Sequence, residues 1–254
     1  MVLAIDVGNT TIHFGLSSGK KLVREWRVGT DRVSGDQGIR KWLSGYRDIR
    51  QVIVSSVVPR VSKLLKNRFP NALFVNHKNV GLKVKVAKPA QVGADRLVNA
   101  LAAHKLYGGP AIIVDFGTAT TFDVINSKGD YLGGAIAPGL ELSREILHER
   151  TAQLPRIEIK APKNVIGKNT VEAMQSGLVF GYVSLVEGMV ARIKYEIRNS
   201  KYETNSKSKI TNSKLKVIAT GGLAPLICKY TGAIDRIDTK LTLEGLLLIG
   251  KEHE

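Results

Sequence analysis

The chain has 254 residues, 43% hydrophobic and 24% charged, with 25 Gly and 8 Pro, enough for one large or two modest globular domains with a sizeable core. That composition excludes a collagen-like, coiled-coil or wholly disordered chain. The formal net charge is +16, from 38 Lys and Arg against 22 Asp and Glu, a field that attracts polyanions, anionic lipid or phosphorylated small molecules.

The first residues, Met1-Val2-Leu3-Ala4-Ile5-Asp6, lack a basic segment and Asp6 cuts the apolar run short, so no signal peptide is expected. No stretch of 18 or more uncharged apolar residues occurs, so neither a transmembrane helix nor a membrane partner is expected. Residues 2–5 read as a strand, Asp6-Val7-Gly8-Asn9-Thr10-Thr11 as a tight turn and residues 12–16 as a second strand. Residues 52–58 read as a further strand leading into small residues and a helix start at Pro59. No Asp or Glu lies between Ile49 and Ala94, whereas nine Lys and Arg do, among them Arg60, Lys63, Lys66 and Arg68. Aromatic residues for base stacking are almost absent from that span, which favours a solvated basic face over a nucleic-acid surface.

Residues 96–107 have helical spacing and are stopped by Gly108-Gly109-Pro110. Next comes an apolar run, 111–114, then Asp115-Phe116-Gly117-Thr118-Ala119-Thr120-Thr121 and a second apolar run, 122–125. This repeats the layout of the first hairpin, with Asp6 and Asp115 lying 109 positions apart. The repeat points to an internal duplication: two related α/β halves with mixed sheets, facing each other, divided at 1–110 and 111–254. Gly133-Gly134-Ala135-Ile136-Ala137-Pro138-Gly139 reads as a glycine-rich turn. A long helix is expected from Asn169, with Asn169 as N-cap, Glu172 completing a capping box, and Val171, Met174, Leu178, Leu185, Met189, Ile193 and Ile197 at helical spacing. Gly177 and Gly181 stack one above the other on it and allow close approach of another backbone. Residues 199–216, rich in Lys, Ser and Asn, read as a flexible surface loop. Residues 217–225 form a strand, the turn Thr220-Gly221-Gly222 and a helix start, a looser echo of residues 52–59.

Several of these segments can carry chemistry. A carboxylate at a strand end before a glycine turn, as at Asp6, is either ordinary turn chemistry or part of a phosphate cradle with a Mg²⁺ ion. Gly93-Ala94-Asp95-Arg96 places an acid and a base before a helix, where Asp95 is either a cap or a general base and Arg96 an anion clamp. The single cysteine, Cys228, excludes an internal disulfide and a Cys-rich zinc site, favours a reducing compartment, and reads as a buried apolar thiol. His104 and His148 have no partners at metal-ligand spacing and read as core or surface histidines.

Taken as an ordered set, Asp6–Thr10, Gly93–Arg96, Asp115–Thr121, Gly133–Gly139, Gly167-Lys168-Asn169-Thr170-Val171-Glu172 and Ala219-Thr220-Gly221-Gly222-Leu223-Ala224-Pro225 resemble type III pantothenate kinase. The resemblance implies the duplicated ribonuclease-H-like, actin-like ATPase fold, with two halves around a nucleotide cleft. It implies ATP-dependent phosphorylation of pantothenate to 4'-phosphopantothenate, the first step of coenzyme A biosynthesis, in a cytoplasmic homodimer. By the same resemblance ATP is bound by Asp6, Val7, Gly8, Asn9, Thr10, Thr11, Ile12, His13 and Thr118. Pantothenate is bound by Gly93, Ala94, Asp95, Arg96 and Thr170, with Asp95 the general base and Thr170 reaching across the dimer. Asp6 assists Mg²⁺, directly or through water, and Asp115 holds K⁺ or NH₄⁺, which offsets the lack of a lysine in residues 6–13. One position departs from the family pattern: Val86 stands where a pantothenate-touching tyrosine is common. An alternative reading is a non-catalytic or dual-role relative acting as a transcriptional accessory through its basic surface.

Overall fold

The computed structural model describes residues 1–19, 21–33, 49–199 and 215–253. They form two compact units. The first comprises Met1–Gly108, Gly129–Gly133 and Lys240–Glu254; the second comprises Gly109–Lys128 and Gly134–Thr239. The units are therefore not the contiguous halves 1–110 and 111–254, because the C-terminal helix belongs with the first.

In the first unit the sheet contains β1 (Val2–Val7), β2 (Thr11–Ser18), β3 (Lys21–Gly29), β4 (Gln51–Ser56) and β5 (Leu73–Phe74), in the order β3-β2-β1-β4-β5. β1 and β4 lie at the centre and are apolar on both faces, so they read as continuous apolar runs. β3 alternates Lys, Leu, Val, Arg, Glu, Trp, burying little, as an edge strand does; its Trp26 stacks on Phe14 of β2 with ring centroids 5.1 Å apart. Leu3, Ile5, Phe14, Val54, Val61 and Leu65 are among the residues of one core cluster. Val61 and Leu65 come from α1 (Pro59–Arg68), which opens on proline, a residue suited to the first helical turn. α2 (Ala94–Tyr107) buries Leu97, Val98 and every residue from Asn99 to Ala103.

The second unit repeats this plan. Its sheet contains β6 (Ala111–Phe116), β7 (Ala119–Ile125), β8 (Tyr131–Pro138), β9 (Lys216–Thr220) and β10 (Arg236–Ile237), in the order β10-β9-β6-β7-β8, the first three residues of β8 belonging to the first unit. In both sheets a central strand pairs antiparallel with the next strand and parallel with a later one. The registers coincide: Val2↔Gln51 matches Ala111↔Lys216, and Asp6↔Ser55 matches Asp115↔Thr220. The expected duplication is thus present in the parallel pairing, with the second hairpin one residue tighter, Asp115↔Thr121 against Asp6↔His13. The segment 133–139, expected as a turn, is instead mostly strand β8, an edge whose partly exposed, small-residue face left no apolar alternation to read.

α3 (Leu140–Glu149) and α4 (Thr170–Asn199) cover this sheet, followed after β9 by the short α5 (Ala224–Ile227). At 30 residues, α4 is about 45 Å long. It is long and apolar enough to cross a membrane by length and composition alone. Its stripe of Met174, Leu178, Val179, Tyr182, Val183, Val186 and Val190 lies in the core cluster with Ile112, Val114 and Phe122, as in a core helix. Its start is the expected capping box: Glu172 N–H donates to Asn169 Oδ1 at 2.9 Å, while Glu172 Oε2 accepts from Lys168 N–H, one residue earlier than the usual partner. Most of the lysine-rich segment expected as a loop lies outside the described residues.

The last helix, α6 (Leu241–Glu252), packs in the first unit against α2 and β4. A Cβ on Gly245 would lie 2.7 Å from Val98 and one on Gly250 2.6 Å from Ile53, so glycine sets the helix's approach. Thr242 Oγ1 donates to Asn99 Oδ1 at 2.8 Å.

Candidate active site

The turn after β1 is built by backbone and pinned from β3's end. Gly8 N–H donates to Thr11 O at 3.0 Å, Thr30 N–H to Thr10 O at 2.9 Å, and the buried Thr30 hydroxyl to Gly8 O at 2.8 Å. Asn9, Thr10 and Thr11 are left exposed and Asp6 half-buried. Val7 and Ile12 are core residues at 1% exposure, so of these two expected nucleotide residues only the main chain is available to a ligand. Thr30 is a residue the sequence did not single out; no local signal ties it to a turn 20 positions away. His13, opposite Asp6 in the hairpin, has its pKa lowered to about 4 by burial and then by the Arg27 and Lys240 charges. It is neutral at pH 7 and offers a ring N–H rather than a charge.

At the start of α2, Gly93 takes the N-cap position with no side-chain cap. Asp95 is therefore not the N-cap; it lies inside the first turn, and its Oδ1 accepts from Arg96 N–H at 2.8 Å. Burial raises its pKa, and this outweighs the hydrogen bond and the Arg96 charge, which both lower it. A carboxylate so held is a stronger base than an ordinary aspartate. Arg96 stands over the ring of Tyr131, with Cζ 5.9 Å from its centroid. Val86 lies beside Gly133, where an added Cβ would come within 3.5 Å of it.

In the second unit Asp115 ends β6, half-buried, as Asp6 ends β1. Gly221 turns at φ +90°, and a Cβ there would lie 2.6 Å from Asp115 Oδ1. Glycine thus lets this turn approach the Asp115 carboxylate and the Phe116 backbone closely. Tyr182 of α4 hydrogen-bonds Thr120 Oγ1 and donates to Pro138 O at 3.3 Å; burial, and then the Asp115 charge, raises its pKa. Thr118 is exposed, and its carbonyl accepts from Gly139 N–H at 3.1 Å. Thr170 is exposed and lines an apolar groove of about 690 Å³ with Leu147, Leu154, Met174, Gly177 and Leu178. Among the described residues, nothing outside the neighbouring helix backbone comes within 4 Å of a Cβ built at Gly177 or Gly181.

Among the described residues no cluster of three or more His, Cys, Asp or Glu forms a metal cage. The single carboxylate Asp6 beside exposed Thr10 and Thr11 suits a divalent ion that keeps its waters and shares phosphate oxygens. Asp115, a half-buried carboxylate near the end of β6, is the oxygen donor available to a monovalent cation. Cys228 is half-buried with its thiol pushed up to about 11, the apolar thiol expected. His148 sits at the surface with Nδ1 3.0 Å from Leu154 O, whereas half-buried His104 Nδ1 has no partner among the described residues.

Comparison with known proteins settles the family. The model of type III pantothenate kinase matches residues 2–192. A type III pantothenate kinase of Paramagnetospirillum magneticum is 45% identical over 270 residues, covering 100% of this chain and 98% of the relative.

The chain belongs to the type III pantothenate kinase family.

Solved structures agree on the fold. A Campylobacter jejuni protein classed with the Baf family of transcriptional activators superposes with TM-score 0.62 at 21% identity, covering 99% of this chain and 98% of that one. MreB 5 of Spiroplasma citri, bound to AMPPNP, superposes with TM-score 0.57 at 12% identity, covering 99% and 96%. At those identities the likeness is one of fold, the actin-like ATPase duplication, and lends no support to the transcriptional alternative. Within the family frame, the residues that sequence reasoning missed are Thr30, Tyr131 and Tyr182. Gly221 belonged to a turn already singled out, but its partner Asp115 did not follow from it.

Proposed function

We propose that this type III pantothenate kinase family member transfers the γ-phosphoryl group of ATP to the terminal hydroxyl of pantothenate in the cytoplasm, beginning coenzyme A synthesis. The observation that carries the reading is the Asp95–Arg96 pair: a carboxylate whose proton affinity is raised by burial, held by Arg96 N–H at 2.8 Å, beside a guanidinium. Phosphoryl transfer needs positioning and charge stabilisation more than covalent help. Arg96, with Gly93 and Ala94, holds the pantothenate end by its negative charge. Asp95 accepts the hydroxyl proton as the oxygen attacks the γ-phosphorus; the bond to the β-phosphate bridging oxygen breaks and ADP leaves. The main chain of residues 6–13 with the Thr10 and Thr11 hydroxyls holds the phosphates, His13 adds a neutral ring donor, and Thr118 contacts the nucleotide. A divalent ion assisted by Asp6, and K⁺ or NH₄⁺ at Asp115, supply charge neutralisation when bound.

We further infer a homodimer in which Thr170 reaches the partner's pantothenate. Its support is the groove beside Thr170, the bare Gly177, Gly181 and Gly188, and the exposed Val165, Ile166, Val171 and Tyr195. The experiment is ADP release with and without pantothenate. Strict dependence on pantothenate supports the reading, and ATP consumption indifferent to it opposes it.

A further inference from the structure

Arg96 has a platform that the reaction scheme above leaves unexplained. Tyr131 is 1% exposed, yet its ring lies under the Arg96 guanidinium at 5.9 Å, the range in which a cation is drawn to an aromatic face. Its main chain is pinned. Tyr131 N–H donates to Lys83 O and Tyr131 O accepts from Lys85 N–H, both at 2.8 Å, in a parallel bridge with Val84. Lys85 Nζ adds a 2.6 Å ion pair to Asp130 Oδ2, fastening the same two segments. The guanidinium belongs to the residue directly after the proposed base, and its charge acts on Asp95. Swinging it away would change both the substrate anchor and the base's surroundings.

We propose that Tyr131 is a positioning residue that fixes the Arg96 guanidinium for the carboxylate end of pantothenate, and that the 83–85 segment fixes Tyr131. The inference rests on the reading of Arg96 as the substrate's anion clamp. It assigns the clamp's rigidity to a residue 35 positions away in sequence. A planar guanidinium on a fixed ring loses little freedom on binding an anion, so the ring acts on substrate affinity more than on the chemical step.

The test uses full-length enzyme and pantothenate, with kcat and KM measured for Tyr131→Phe, Tyr131→Met, Arg96→Ala and the Arg96→Ala/Tyr131→Met double variant. Tyr131→Phe keeps the ring and should keep the wild-type KM. Tyr131→Met keeps most of the volume but loses the ring face, and should raise KM about 5- to 10-fold with kcat within about twofold. In the Arg96→Ala background the same change should add less than about twofold, because a ring acting through Arg96 has nothing left to hold. Tyr131→Met raising KM equally in both backgrounds, or leaving it unchanged in the wild type, would overturn the positioning role. If Arg96→Ala leaves KM unchanged, the clamp reading itself fails. Thermal unfolding of each variant, with Tyr131→Phe as the folded reference, separates loss of fold from loss of positioning.

Discussion

Two adjacent glycines of one turn should respond very unequally to the same substitution. At Gly221 the backbone sits at φ +90°, and an added Cβ would lie 2.6 Å from Asp115 Oδ1 and from the Phe116 carbonyl carbon and oxygen. Gly222 has no positive φ, and nothing lies within 4 Å of a Cβ built there. An alanine forced into the left-handed region costs roughly 1–2 kcal/mol. Backbone displaced to relieve overlap in a packed site costs a further 1–3 kcal/mol or so. Gly221→Ala should therefore lose roughly 2–5 kcal/mol, a fall in Tm on the order of 10 °C. Gly222→Ala should stay within about 0.5 kcal/mol of wild type. The overlap with Asp115 adds a functional readout: a carboxylate pushed from its position should respond less to monovalent cations. Thermal unfolding of both variants, with rates in K⁺ and Na⁺, makes the comparison. If Gly221→Ala is as stable as Gly222→Ala, the close approach of that turn to β6 is refuted.

Three further outcomes follow from the site. The wild-type enzyme should work with K⁺ or NH₄⁺ and little with Na⁺, and Asp115→Ala should abolish that difference; equal wild-type rates in all three salts would contradict the cation assignment. His13 has a folded pKa of about 4 against an ordinary 6.5, so the unfolded chain binds its proton first as pH falls. The neutral ring's contribution to stability is complete above pH 6.5 and lost between there and 4; the imidazole resonances should titrate near 4, and titration near 6.5 would refute the burial account. Asp95→Asn subunits mixed with Thr170→Ala subunits, each nearly inactive alone, should regain activity after subunit exchange, because one heterodimer site is then intact; no recovery after confirmed exchange would reject the shared site.

What the sequence made legible is what its local pattern encodes. The Asp6 and Asp115 hairpins repeat 109 positions apart, and the parallel partners of their first strands coincide, Asp6↔Ser55 against Asp115↔Thr220, while the second hairpin is one residue tighter, Asp115↔Thr121 against Asp6↔His13. The Asn169–Glu172 cap spans four residues and needs only helix geometry, and it formed as read. The edge strand β8 looks like a turn in the sequence because Gly133, Gly134, Ala135 and Ala137 carry neither branching nor a buried alternation. The C-terminal helix could not be placed with the first unit from sequence, because its seat depends on Gly245 meeting Val98 and Gly250 meeting Ile53. Tyr131 beneath Arg96, and Gly221 beside Asp115, are likewise contacts between distant segments. Composition and spacing say nothing of them until the chain is folded.

Asp95 is the residue on which the proposed transfer turns. Its measurement is pantothenate-dependent ADP formation under saturating ATP, Mg²⁺ and K⁺ by the wild-type enzyme and by Asp95→Asn, with pantothenate binding followed calorimetrically. Asparagine keeps the shape of the side chain and removes the proton acceptor. The expected result is retained pantothenate binding with kcat lowered at least about 100-fold, the scale of a lost general base. A variant that turns over within two- or threefold of wild type would contradict the assignment of Asp95 as the base.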